Sequence, residues 1–546
     1  MRFLFLLAAL LALPSSAASQ SDSTRSSLYV LGTLQSDVLL PQSDAAIGAP
    51  HYKERVLHNS YLDLSLGSRY VDAGVSYEQL SHPLPGFEQG LRGSGLGQFY
   101  VEGKYRKLRL TLGSIYDQFG SGFIFRSYAD RSLGIDQQLR GARLFLPLLP
   151  NLSVKALAGR QRHYWDTNPA FVAGAETEWG LRLGQHSDLT LGAAALRKDE
   201  DPELDHIQLD SRHRLRLPAT VWAGSLRAKL SVHNWQVLAE YAGKGQDPSF
   251  DNGYIYRPGH VAMLSTTYSR RGMSLLLQAK RSDNMGFRSR RSVTGTSSML
   301  NHLPPFVREQ TYALQARYPY ATHPNGEWAY QAEWAYRLKR GTSWGGRYGT
   351  DLRIGLSHIQ AIEQQPLSLP GYKVPTGSEG YSSRFFQWGD ETYYQNLDFQ
   401  VSRRLTRDFK LSLSYARLFY NQRVIEGKGD EVKAQFFVAD GSYKFSNRFV
   451  LRGELQYASV RGDKGDWCYA LAELSLARKW LISLSDMYNV GKTRQHYYLA
   501  SLTYSHLSHR VQLSYGRTIE GYNCSGGVCR YTPASKGLRL SLLSNF

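Results

Sequence analysis

Along most of the chain, apolar and polar residues alternate with a period of two. In FKLSLSY, Phe409, Leu411, Leu413 and Tyr415 share one face, and Lys410, Ser412 and Ser414 share the other. FVLRGELQY sets Phe449, Leu451, Leu455 and Tyr457 against Arg452, Glu454 and Gln456. In EWAYQAEWAYRLK, Trp328, Tyr330, Trp334, Tyr336 and Leu338 oppose Gln331, Glu333, Arg337 and Lys339. This is the repeat of a β-strand, whose successive side chains point to opposite faces. One apolar face and one charged face put each strand between oil and water. A soluble sandwich alternates too, but its strands average about five or six residues. Many runs here reach about ten or more, the length of a tilted strand crossing a bilayer. Aromatics sit at the ends of the apolar faces, as an interfacial girdle requires.

The connections alternate in kind. Tight turns are expected at Gly67 to Arg69, Tyr105 to Arg106, Pro147 to Asn151, Gln185 to His186, Arg270 to Gly272, Thr406 to Asp408, Ser446 to Arg448, and Leu507 to Ser508. Longer, polar, Gly-rich connections lie between them. The pattern predicts an all-β chain forming one large transmembrane antiparallel β-barrel, with short periplasmic turns and long outer loops. About 24–26 strands are expected, an even number being the rule for such barrels. The stretch from Ile359 to Asp390 is expected to hide one strand, around Ser382 to Trp388. The chain ends in KGLRLSLLSNF, with Leu538, Leu540, Leu542 and Phe546 in one register. Residues 538–546 are read as the closing strand, and Phe546 as the aromatic signal for barrel insertion.

Composition agrees. Tyr (36), Trp (10) and Gly (50) favour strands and turns. Mean hydropathy is −0.40, polar for a protein of membrane helices. No later run of about 18 apolar residues is present. Residues 1–19, MRFLFLLAALLALPSSAAS, carry one charge at Arg2, an apolar stretch and small residues. They read as a cleaved signal peptide, leaving residues 20–546 as the barrel. The net charge of +19 in an exported chain points to lipid phosphates, anionic polysaccharide or a cation-lined lumen, and away from nucleic acid. Cys524 and Cys529 bracket CSGGVC and are expected to pair in an oxidising compartment; the alternatives are two free thiols, or one of them paired with Cys468.

Two segments could carry chemistry. The first places Asp117, Arg126, Asp130, Arg131, Asp136, Arg140 and Arg143 among Gly120, Gly122, Phe123 and Phe125. It reads as a loop folded into the lumen that narrows and polarises a solute path. A solvated surface loop and an ion-pair network bracing the wall are the alternatives. The second, Lys280, Arg281, Arg288, Arg290 and Arg291, is the densest basic cluster. It is read as a contact for lipopolysaccharide phosphates or as a solvated loop. Enzyme signatures are poor. GTSWG at Gly341 to Gly345 matches G-x-S-x-G, but that elbow needs a strand turning into a helix, and both flanks read as strand. GKT at Gly491 to Thr493 has Asp486 where a phosphate loop needs glycine. The His are scattered, and His506 and His509 sit near a turn. No enzyme, metal or cofactor is expected.

YDQFGSGFIFRSYADRSLGIDQQLRGARL (Tyr116 to Leu144), LKRGTSWGGRYGT (Leu338 to Thr350) and GGVCRYTPASKGLRLSLLSNF (Gly526 to Phe546) go beyond generic barrel text. Together they resemble an uncharacterised family of outer-membrane barrel proteins from Bacteroidota-type bacteria. The resemblance covers nearly the whole mature chain. It implies a fold and a location and brings no activity. The function expected is a porin-like or gated channel for polar or anionic solutes in the outer membrane of a Gram-negative cell. Segments 117–138, 283–308 and 359–390 are the candidates for limiting leakage. The alternative is a non-conducting anchor of an envelope secretion or assembly complex. The partners expected are outer-membrane lipid and lipopolysaccharide, the barrel-insertion machinery and envelope proteins.

Overall fold

The computed structural model describes residues 28–324, 326–367, 375–525 and 528–546. The expected signal peptide lies outside them. Twenty-four antiparallel strands form one sheet, each paired with its neighbours in sequence. The first, Tyr29–Gln42, also pairs with the last, Ser535–Asn545, so the sheet closes on itself. Closure satisfies both edges of this 24-stranded sheet.

The seam has a specific fit. Leu40 faces Leu538 and Val38 faces Leu540. The Phe546 N–H donates to the Gly32 carbonyl at 2.9 Å, and the Gly32 N–H donates to the Phe546 carbonyl at 2.7 Å. A Cβ on Gly32 would stand 2.2 Å from the Phe546 ring, so only glycine lets that ring lie over the first strand.

Connections at one rim are tight, at 68–70, 106–107, 185–186, 271–272 and 507–508, whereas the other rim carries 116–138, 200–219, 284–325, 363–387 and 519–534. Each rim has one exception. GTSWG falls in 339–349 at the tight rim, between two strands, and 164–165 is a tight turn at the long-loop rim. The strand expected around Ser382 to Trp388 does not form. Tyr381–Ser382 pairs with Gln365–Pro366 in a two-stranded piece apart from the barrel sheet, and Trp388 opens the long strand Trp388–Arg404. Arg384 reaches back to Glu363 at 2.6 Å and folds that connection on itself.

The outward face is a hydrocarbon surface. Leu226, Leu264, Leu356, Leu413 and Leu484 are all exposed at mid-strand. Exposed Trp222 and Tyr241 mark the long-loop side of this belt, and Trp235, Phe449 and Trp480 the tight-turn side. Aliphatic centre and aromatic margins are what a bilayer selects. The belt runs round a closed barrel, so the chain spans a membrane by strands.

The inward face carries the core, and the core is uneven. Along strands such as Met273–Asp283, Thr220–Val232 and Phe449–Arg461, buried positions gather toward the end that meets a long connection. The lumen is therefore filled in the half beneath the long loops and more open toward the tight turns.

Candidate functional site

Two inward-folded connections make the filling. The 116–138 segment buries Phe119, Phe123, Ile124 and Phe125, and the 284–325 segment buries Met285, Phe287, Leu300, Leu303, Phe306, Leu314, Tyr318 and Tyr320, all in one apolar cluster. Backbone bonds join the two. The Arg126 N–H donates to the Leu300 carbonyl at 2.7 Å, and the His302 N–H to Gly122 at 2.9 Å. Asn301 donates to the carbonyls of Phe123 and Met285 at 3.0 and 2.8 Å. Gly120 and Gly122 have φ of +52° and +91°, in the left-handed region where glycine is favoured. They let the chain double back inside the barrel.

Wall carboxylates hold this plug by its backbone. The Gly120 N–H donates to Glu176 at 2.7 Å and the Ser121 N–H to Glu240 at 3.0 Å. Asp117 accepts from Arg143 and, at 2.8 Å, from Lys155. Asp136 accepts from Arg162 at 2.5 Å, and Arg162 also binds Glu78 at 2.7 Å. Arg131 makes a bidentate bond to Asp63 at 2.7 and 2.6 Å. Asp130 binds Ser132 in its own turn, Arg126 stacks on Tyr128 at 4.1 Å, and Arg140 lies 3.5 Å from the Gly97 carbonyl. Inward folding and wall bracing, alternatives in the sequence, thus occur together: most of these charges neutralise one another.

The basic cluster at 280–291 is placed against expectation. Lys280 and Arg281 are fully buried, and Arg288 and Arg291 nearly so. Lys280 pairs with Glu327 at 2.9 Å, Arg281 lies 3.5 Å from Asp283, Arg288 binds Asp251 at 2.7 Å, and Arg291 binds Glu200 at 2.9 Å. Only Arg290 is partly exposed, 3.6 Å from Asp205. Heads buried in ion pairs inside the barrel cannot reach lipid phosphate, so Lys280, Arg281, Arg288 and Arg291 do not form the expected lipopolysaccharide contact. Apart from Asp283, the acidic partners lie elsewhere in the chain, which hid the pairing from a local reading.

Burial also acts on the plug's histidines. Desolvation, with Arg126 and Lys280 nearby, lowers the His302 pKa to about 3, and desolvation lowers that of His323. Both are held neutral.

The filling leaves one side of the lumen open. A cavity of about 750 Å³ lies against the first strand and the last five, lined by Asp37, Tyr469, Tyr497, Arg517 and Arg539. The hairpin Gly521–Ser525 and Val528–Thr532 adds Tyr522, Arg530 and Tyr531, with Cys524 joined to Cys529, Cys468 being free. The plug contributes Arg131, Arg317 and Tyr318, and the short helix Gln422–Glu426 with its flank contributes Glu426 and Lys428. The lining holds seven cations (Arg131, Arg317, Lys428, Lys464, Arg517, Arg530, Arg539) and four anions (Asp37, Glu426, Asp463, Glu520). The cavity cations other than Arg131 were missed in the sequence. The one visible signal was Arg539, which stands between two outward leucines and must face in.

Among the described residues no group of three or more His, Cys, Asp or Glu could hold a metal ion. His509 hydrogen-bonds Ser544 at 2.7 Å.

Among solved structures, the chain is similar to the translocation pore of the P pilus usher PapC, at 11% identity and a TM-score of 0.43, over 95% of this chain and 99% of that one. It is similar to the siderophore receptor PirA of Pseudomonas aeruginosa, at 10% identity and a TM-score of 0.40, over 96% and 81%. It is also similar to OccAB3 of Acinetobacter baumannii, at 9% identity and a TM-score of 0.35, over 95% and 99%. These are likenesses of barrel to barrel. No curated protein matches the chain. One family model matches residues 1–546 throughout, and the chain belongs to that family, a family of unknown function (DUF6029).

Proposed function

We propose that this chain is a channel in the outer membrane of a Gram-negative, Bacteroidota-type cell, exported by a cleaved signal peptide and inserted by the barrel machinery, which recognises the Phe546 end. Outer-membrane lipid covers the apolar belt. The solutes passed are polar and anionic. The observation that carries the reading is the cation excess of the open cavity, seven against four, beside a lumen otherwise filled with neutralised pairs. Fixed positive charge in a narrow, low-dielectric passage raises the local concentration of anions. No catalytic residue and no cofactor enter this reading.

The test is single-channel recording of the refolded barrel in a planar bilayer under a salt gradient. Stable steps with a reversal potential favouring chloride over potassium are expected. A folded, heat-modifiable barrel that stays electrically silent rejects the channel. It would favour a second reading, a non-conducting anchor of an envelope secretion or assembly complex, which the apolar plug itself supports because a scaffold needs no path.

A further inference from the structure

Resting on the channel reading, we propose that Arg530 and Arg539 form a binding subsite for the oxyanion of a small hydroxylated solute, a sugar acid or sugar phosphate. The seven cavity cations are not equivalent. Arg131 is engaged by Asp63, Arg517 by Asp44 at 2.7 Å, Lys464 by Glu520 at 2.6 Å, Arg317 by Asp463 at 3.6 Å and Lys428 by Glu426 at 3.8 Å. Among the described residues, Arg530 and Arg539 have no carboxylate within salt-bridge distance.

Arg539 projects from the closing strand and donates one nitrogen to two hydroxyls, Thr518 at 2.9 Å and Ser535 at 2.6 Å. Among the described residues, its other donors meet no acceptor. Arg530 enters from the hairpin above, with its guanidinium 3.9 Å from the Phe87 ring centroid. Its Nε and one terminal nitrogen are buried without a hydrogen-bond acceptor among the described residues. Leaving guanidinium donors unmet away from water costs free energy, and a bound oxyanion is the group whose fork geometry answers it. Burial lowers the Arg530 pKa, and the more distant Tyr61, Asp130 and Glu88 only partly offset it.

Two further features set the solute class. Tyr497, Tyr522 and Tyr531 line the same cavity, and their amphipathic rings suit the faces and hydroxyls of a sugar better than an alkyl chain. The volume is that of a site for a molecule of modest size. Glu520 accepts from the Tyr531 hydroxyl at 2.8 Å and from Lys464. It therefore fixes the hairpin and does not compete for the two free arginines.

The test is calorimetric titration of the full-length barrel in detergent micelles with three probes: glucose, glucuronate and glucose 6-phosphate. Saturable binding of glucuronate or glucose 6-phosphate, and none of glucose, is expected. The tighter of the two anions tells a carboxylate site from a phosphate site. Arg530→Gln and Arg539→Gln should each weaken that anion by about tenfold or more, the worth of one charge-assisted pair. Arg539→Lys should retain part of the affinity. Arg347→Gln, at the tight-turn rim, should change nothing. Heat-modifiable mobility reports that each variant is folded. If Arg539→Gln does not fold, Arg530→Gln, on a hairpin outside the barrel wall, decides the matter. Absence of saturable anion binding, or binding indifferent to the arginine variants, overturns the subsite. The readout needs no current. A barrel that conducts but does not bind rejects the subsite and keeps the channel, while one that binds but stays silent keeps the subsite and rejects the channel.

Discussion

The two sides of this lumen are made of the same residue types and do opposite things. On the plugged side, Lys198 with Asp247, Lys280 with Glu327 and Arg291 with Glu200 are desolvated pairs under an apolar lid of Phe and Leu. On the open side, Lys464 with Glu520 is partly exposed, and Arg530 and Arg539 line a cavity with no carboxylate of the described residues within salt-bridge distance of either. Charge inside a barrel is thus no sign of a pore. What matters is whether a loop arrives to pair it and exclude water.

The sharpest way to break the contrast is to remove the plug. Asp283 and Gly326 are paired neighbours, so residues 286–322 can be replaced by a short Gly-Ser turn without moving either strand. Conductance should rise several-fold, because a barrel of about this size is wide enough for an aqueous channel once emptied. An equal replacement of the 521–532 hairpin should change anion preference more than conductance. Next is Glu327→Gln, which leaves Lys280 buried without its counter-ion. A loss of about 3–5 kcal/mol is expected, read as a lower urea midpoint for the refolded barrel.

Acid probes the plug alone. His302 is neutral in the folded state, with its pKa lowered to about 3, against about 6.5 in the unfolded chain. Between those values the unfolded form binds more protons, so stability is full above about pH 6.5 and falls as the pH drops toward 3. At pH 5 this residue should cost about 2 kcal/mol, seen as faster hydrogen exchange in 284–325 than at pH 7. His302→Gln should remove most of that dependence. Replacing Cys524 and Cys529 by Ser should cost the hairpin about 2 kcal/mol, as for a short closed loop. Added current noise is expected, with a reducing agent giving the same effect on the parent barrel. The smallest effect is Glu520→Gln, the exposed counterpart of Glu327→Gln. It should cost under about 1 kcal/mol. A larger loss would mean that the two sides are alike.

The wall was legible in the sequence because it is written in a local code. Period-two runs such as Glu327 to Leu338 announce both faces, and turns recur where the apolar face ends. The count of 24 fell within the expected range, and the surplus strand near Ser382 came from the length of the stretch from Ile359 to Asp390 and the even-number rule; there the chain forms a loop and then the start of the next strand. The inward course of 116–138 was also legible, from Phe beside Gly in a charged stretch. The fate of 280–291 was not. Its partners Glu200, Asp251 and Glu327 lie up to some 90 residues away, and no local pattern says that a run of arginines will meet them. The open cavity escaped for the same reason: its charge is a remainder, left after pairs between distant residues have formed.

The half-filled lumen has an electrical consequence. The plug and the unpaired arginines lie toward one rim, and the wider space lies toward the other. Fixed charge at the narrow mouth of a tapered conductor makes ions accumulate under one polarity and deplete under the other. A single barrel of this shape should therefore rectify, its current–voltage curve bending in one sense and straightening as salt screens the arginines.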